Sequence, residues 1–132
     1  MVRPTPKFLI IDDSISIRKI IIHILKQIGH NSIVEARDGE SAYAMLVEHS
    51  KKSDPISFII SDLNLPKMSG LDLLKKYKLE KAFQTIPFLL VTADTDHDKI
   101  NKAYKEGMND YIIKPFSPAQ LKSKFEKFIV LK

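Results

Sequence analysis

Short apolar runs alternate along the chain with longer stretches of helical periodicity, and the alternation repeats five times. The first run, Lys7 to Ile11, stops at Asp12-Asp13. From Ser14 to Ile28 apolar residues recur at Ile17, Ile21, Ile24 and Ile28, with Arg18, Lys19 and Lys26 between them and Gly29 as a C-terminal cap. That pattern predicts an amphipathic helix. A weak strand at Ser32 to Ala36 leads through the turn signal Asp38-Gly39 into a helix from about Glu40 to Glu48, and His49 to Pro55 reads as a polar, exposed linker. The run from Phe58 to Pro66, entered from Pro55, is continuously apolar up to Ser61-Asp62, as expected of a strand covered on both faces. Ser69-Gly70 opens a helix with Leu71, Leu74 and Tyr77 or Lys78 at helical spacing. Ile86 to Thr92 is the next strand, with Pro87 near its start, where a missing donor is tolerated. A polar loop, Asp94 to Asp98, precedes a helix to about Glu106, and Gly107 ends it. Tyr111 to Lys114 is the last strand. Ser117-Pro118 supplies the N-cap and first-turn proline of a closing helix whose buried face is Leu121, Phe125 and Phe128.

Regular strand-helix alternation with right-handed crossovers implies a parallel sheet with helices on both faces. For five strands the doubly wound order 2-1-3-4-5 is the leading expectation. The 132 residues suit a single domain, 1–132, with its core at about 7–128. A composition of 44% hydrophobic and 28% charged residues is that of a soluble globular protein. The absence of cysteine excludes disulfides and thiolate metal sites. Residues Met1 to Lys7 lack an apolar core of signal-peptide length, and no run is long enough to span a bilayer, so a cytoplasmic protein with no membrane contact is expected. The net charge of +5 comes from lysines spread over predicted helix faces, such as Lys75, Lys76, Lys78 and Lys81, or Lys122, Lys124 and Lys127. No aromatic residues interleave with them as stacking platforms, so direct nucleic-acid binding is not expected. His23, His30, His49 and His97 have no ligand spacing and read as structural or surface residues.

In a 2-1-3-4-5 sheet the ends of strands one, three, four and five share one rim. The residues there are Asp12-Asp13, Asp62, Thr92 and Lys114. Adjacent strands lie roughly 4.8 Å apart. At about 5 Å and an effective dielectric of about 20, each pair of like charges costs on the order of 3 kcal/mol. Lys114 alone cannot offset three acids. A hard divalent cation can, and oxygen-only ligands suit magnesium or manganese better than zinc. A metal beside an acidic nucleophile, with a hydroxyl and an ammonium nearby, is the equipment of in-line phosphoryl transfer.

With these residues in view, the chain resembles a response-regulator receiver domain of two-component signalling and is similar to the stand-alone chemotaxis type. The resemblance runs from about Lys7 to Phe128. It is carried by Asp12-Asp13, Ser61-Asp62, Pro66 with Gly70, Val91-Thr92-Ala93, Tyr111 and Lys114-Pro115-Phe116. It implies a flavodoxin-like (βα)5 sandwich and a phosphoacceptor, Asp62, that takes a phosphoryl group from a sensor histidine kinase or phosphotransfer protein. It implies magnesium, or manganese, on Asp12, Asp13, Asp62 and the carbonyl of Asn64. Lys114 and Thr92 would contact phosphoryl oxygens, with small Ala93 keeping the pocket open and its N–H donating. Thr92 and Tyr111 would form the switch that alters the surface of the fourth helix, fifth strand and fifth helix, where a downstream effector or a second receiver binds. Asn64 and Asp94 would tune self-dephosphorylation, toward the faster side, by orienting a water. Lys114-Pro115 would be cis. Met108, where a small residue is usual, is a departure beneath Tyr111. On this reading the protein is a signalling switch and not an enzyme, its only chemistry being self-phosphotransfer and autodephosphorylation.

Three other readings stand beside this one. The chain would serve equally as the receiver part of a longer regulator with a DNA-binding or enzymatic output. A haloacid-type magnesium-dependent phosphatase also uses an aspartyl nucleophile, but needs a second acid two residues on, where this chain has Asn64. A flavin carrier would need a Ser/Thr/Gly phosphate loop after the first strand, where Asp12-Asp13 would repel a phosphate.

Overall fold

In a computed structural model, which describes residues 6–129, the apolar runs form strands β1 (Phe8–Ile11), β2 (Ile33–Ala36), β3 (Phe58–Ser61), β4 (Phe88–Thr92) and β5 (Asp110–Ile113). The periodic stretches form helices α1 (Ile15–Gln27), α2 (Gly39–Ser50), α3 (Gly70–Lys78), α4 (His97–Lys105) and α5 (Pro118–Ile129). The strands are parallel and ordered β2-β1-β3-β4-β5, as the alternation predicts. The N-terminal residues 1–5 and the side chain of Phe128, to which a buried place was assigned, lie outside the described residues.

The period of two along each strand sorts the core into two halves. Leu9, Ile11, Ile59, Phe88 and Leu90 pack with Leu46 of α2 and Leu73, Leu74 and Tyr77 of α3. Phe8, Ile10, Phe58, Ile60, Leu89 and Val91 pack with Ile21, Ile24 and Leu25 of α1 and Leu121 and Phe125 of α5. Every residue of β1, β3 and β4 is buried, whereas the edge strands β2 and β5 are only partly so. Double-sided cover is what lets these three strands be continuously apolar. It also fixes the level at which they end, and with it the level of the residues just beyond.

Several boundaries differ from expectation for local reasons. Helix α2 runs on to Ser50, so His49 is buried in its last turn and does not begin an exposed linker. Its Nδ1 has no partner. Burial, with the charges of Lys7 and Lys52, holds its pKa below the ordinary value and keeps it neutral near pH 7. Helix α4 starts inside the expected polar loop because the Asp96 carboxylate accepts from the N–H groups of Asp98 and Lys99 as an N-cap. Pairing of β4 starts after Pro87, whose carbonyl accepts from Ile59. Leu73 and Leu25, which the periodic reading passed over, are wholly buried, whereas Leu71 and Ile17 are half-buried. Lys114 falls one residue beyond β5.

Two features shape the loop after β3. A Cβ on Gly70 would collide with the backbone oxygen of Asp62, so only glycine lets α3 start this close to the strand end. Before it, the Met68 N–H donates to the Pro66 carbonyl at 2.7 Å across Lys67, whose φ is +66°. That is a γ-turn, a strained conformation for a residue with a side chain. Lys67→Gly is therefore expected to raise stability by about 0.5–1 kcal/mol, the relief of strain outweighing the entropy glycine adds to the unfolded chain. Urea unfolding checks this, a higher midpoint at unchanged slope being the expected result and a lower midpoint the contrary one.

Candidate functional site: an acidic cleft at the carboxyl edge of the sheet

The register of β1 on β3 pairs Ile11 with Ser61, and the Asp62 N–H donates to the Ile11 carbonyl at 2.9 Å. Asp12 and Asp62 are consequently neighbours. One carboxylate oxygen from each of Asp12, Asp13 and Asp62 lies within 4.8 Å of the others. Asp12 and Asp62 are buried, at 2% and 9% exposure, while Asp13 is exposed.

Lys114 arrives directly after β5, and the peptide bond that follows it, Lys114-Pro115, is cis. Its backbone N–H is tied to the Thr92 carbonyl at 2.8 Å, which brings the side chain back over the cleft. The Nζ donates to Asp12 Oδ2 at 2.7 Å and to Asp62 Oδ2 at 3.1 Å. Burial pulls its pKa down, but the hydrogen bonds and charges of Asp12 and Asp62 outweigh this and leave it above the ordinary lysine value. The other oxygens are held locally. Asp12 Oδ1 accepts from the Ser14 N–H at 2.9 Å, and Asp62 Oδ1 from the Leu63 N–H at 2.7 Å. Among the described residues the Asp13 carboxylate has no hydrogen-bonding partner. An all-oxygen cluster converging from two loops fits a small hard cation, whose oxygen ligands stand at about 2.0–2.1 Å.

The remaining candidates surround this cluster without all joining it. Thr92 is fully buried at the end of β4, and its hydroxyl accepts from the Asp94 N–H at 3.1 Å; no hydrogen bond connects it to Asp62. Ala93 is exposed beside it. Tyr111 is half-buried and packs edge-on against Tyr104, ring centres 6.0 Å apart at 79°. Met108 is buried in the core half against which Tyr111 packs, so the larger side chain fills this space. Asn64 and Asp94 do not stand apart as two open polar groups. The Asn64 Nδ2 donates to Asp94 Oδ2 at 3.0 Å, and Lys99 Nζ donates to the same oxygen at 2.9 Å. Lys99, Asn64 and the Asp96 N–H together hold the Asp94 pKa down to about 2.

Sequence reasoning missed Lys99 and Arg18. Arg18 Nη1 donates to the backbone oxygen of Asp12 at 2.7 Å and its Nε to Glu35 Oε1 at 2.9 Å. In the sequence it is one of several cations spacing the apolar positions of an amphipathic helix, and nothing distinguishes it from Lys19 or Lys26 until β2 is placed beside β1.

The sheet, the acidic cluster and the lysine that spans it are equipped to hold a cation and a phosphoryl group side by side. Residues 8–126 match the family described as the response regulator receiver domain. The chain is 38% identical over 120 residues to the chemotaxis protein CheY homolog of Campylobacter jejuni, covering 91% of this chain and 89% of that protein. The solved chemotaxis response regulator CheY4 of Vibrio cholerae superposes with a TM-score of 0.80 at 31% identity, covering 93% and 98% of the two chains. The phosphorylated cyanobacterial phytochrome response regulator RcpA superposes with a TM-score of 0.83 at 27% identity, covering 96% of each. The chain belongs to the response-regulator receiver family, whose members signal through histidine kinases and downstream effectors and are not in general enzymes. The phosphatase reading is not favoured.

With no cation bound, the exposed Asp13 adds repulsion to two acids that share one ammonium. Asp13→Ala in chelator-treated protein is expected to raise Tm by about 3–5 °C, equivalent to about 1 kcal/mol after solvent screening. Differential scanning calorimetry reads this directly, and a lower Tm would show that the acids do not repel.

Proposed function

We propose that Asp62 is the phosphoacceptor and that the chain acts as a cytoplasmic switch, charged by a sensor histidine kinase or a phosphotransfer protein. The observation that carries this is the Lys114 ammonium bridging Asp12 and Asp62 within a cluster of three carboxylates. In the transfer, a carboxylate oxygen of Asp62 attacks phosphorus. The P–N bond of the phosphohistidine breaks, its electron pair returns to the imidazole, and an acyl phosphate forms. Asp62 Oδ1 is tied to a backbone N–H, so Oδ2, beside Lys114, is the oxygen turned to the incoming group. Lys114 then has a phosphoryl oxygen to pair with in place of the carboxylate. Exposed Ala93 leaves room and an N–H for another.

Asp12, Asp13, Asp62 and the backbone carbonyl of Asn64 would hold magnesium, or manganese. The ion, when bound, would neutralise charge on the phosphoryl oxygens. For its O–H to donate to the acyl phosphate, the Thr92 side chain would turn toward it and away from its present contact with the Asp94 N–H. That exchange frees space that Tyr111 can enter, and it repacks the surface of α4, β5 and α5 for a downstream effector or a second receiver. It is a shift between two packings biased by one new anion. Asn64 and Asp94 would tune release of the phosphoryl group from within the bridge they form with Lys99, which uses the Asn64 amide nitrogen and one Asp94 oxygen and leaves Asn64 Oδ1 to meet a water. The names of the relatives point to chemotaxis as the kind of pathway served. Intact-mass analysis after incubation with acetyl phosphate and magnesium is expected to show one added phosphoryl group on the wild type and none on Asp62→Asn. Equal labelling of both proteins would sink the assignment.

A further inference from the structure

Every polar atom of Asp12 is engaged. Its N–H donates to the Ala36 carbonyl at 3.2 Å, Oδ1 accepts from the Ser14 N–H, and Oδ2 accepts from Lys114. The backbone oxygen accepts from Arg18 at 2.7 Å, a short, charge-assisted bond. That oxygen belongs to the peptide group joining Asp12 to Asp13. Asp13 differs from its neighbour, because its carboxylate has no hydrogen-bonding partner among the described residues. Where it points therefore depends on its backbone, and its backbone begins with the peptide that Arg18 holds. The guanidinium is itself well fixed. Its side chain is 13% exposed, and its Nε is bound to Glu35 on the edge strand β2.

We propose that Arg18, anchored by Glu35, is a positioning residue for the acidic cleft. It holds the Asp12-Asp13 peptide so that both carboxylates converge with Asp62, and it thereby sets the cleft's affinity for a divalent cation. The proposal rests on the metal-dependent phosphoacceptor reading above. Electrostatics alone gives the opposite sign, which makes the two accounts separable. A cationic bystander near three acids repels a dication, so removing it would tighten binding. Glu35 already offsets the charge of Arg18, so loss of geometry dominates and removal weakens binding. A fork-shaped guanidinium reaches the carbonyl and Glu35 together, whereas a lysine has one point charge to divide between them.

The test is magnesium affinity, read by isothermal calorimetry on the full chain and by the dependence of Tm on magnesium concentration. Arg18→Met is expected to weaken binding about tenfold, in the range found for groups that orient metal ligands. Arg18→Lys should fall between it and the wild type. Glu35→Gln should weaken binding less, and the double variant should match Arg18→Met alone, because Glu35 acts through Arg18. Lys19→Met, on the same helix, should leave affinity unchanged. Phosphorylation of Arg18→Met by acetyl phosphate should recover at saturating magnesium. Affinity that is unchanged or tighter in Arg18→Met, with or without a lower Tm, would overturn the proposal while leaving the phosphoacceptor reading in place. Failure of the wild type to bind magnesium or take up phosphate would instead overturn that reading, and this inference with it. Should Arg18→Met not fold, Arg18→Lys, which keeps the charge and loses the fork, decides the question: weaker binding supports the proposal and unchanged or tighter binding overturns it.

Discussion

Three carboxylates held together against their mutual repulsion are the constraint on which this protein depends. No isolated loop would keep them so. They are kept by the sheet, whose three central strands are buried on both faces and paired in fixed register, so that the residues after β1 and β3 have no freedom to drift apart. Lys114, delivered from beyond β5, compensates two of the acids and leaves the third uncompensated. The cleft is thus electrostatically incomplete. Incompleteness of this kind is a capacity to bind: a divalent cation supplies the positive charge that the protein alone lacks.

The same economy of partners runs outward from the cleft. The Thr92 hydroxyl is occupied by the Asp94 N–H, and the Asp94 side chain by Asn64 and Lys99. A change at Thr92 is therefore felt first in the loop that leads to α4. On the other flank, the Asp12-Asp13 peptide is tied through Arg18 to the edge strand β2. The arrangement around the cleft is thus a set of groups that hold one another in place.

The fold was legible because its signals are redundant. Continuous apolar strands, helical periodicity and terminating glycines all agree, and Gly29 and Gly107 do close α1 and α4 with positive φ. Asp12, Asp13, Asp62 and Lys114 were legible because strand order alone places strand ends on one rim. What stayed hidden depends on side-chain reach and not on strand order. His49 is buried because α2 continues past Glu48 to Ser50, further than its polar sequence suggests. The start of α4 was obscured because an N-cap aspartate, Asp96, looks like any loop acid until the N–H groups it accepts from are in place. Asn64 and Asp94 were read as two open polar groups, and only coordinates show that a lysine one helical turn further on closes them into a bridge. Arg18 is the same case at longer range, since its partners lie on a strand and a loop that the sequence does not set beside it.

The account stands or falls on the convergence of the acids upon one cation. The most direct measurement is the magnesium-induced rise in Tm for the wild type beside that for Asp13→Ala, at equal magnesium and equal ionic strength. A rise in the wild type that follows RT ln(1 + [Mg]/Kd) and is mostly lost in Asp13→Ala is the predicted result. Equal rises in the two proteins, or none in either, would contradict it.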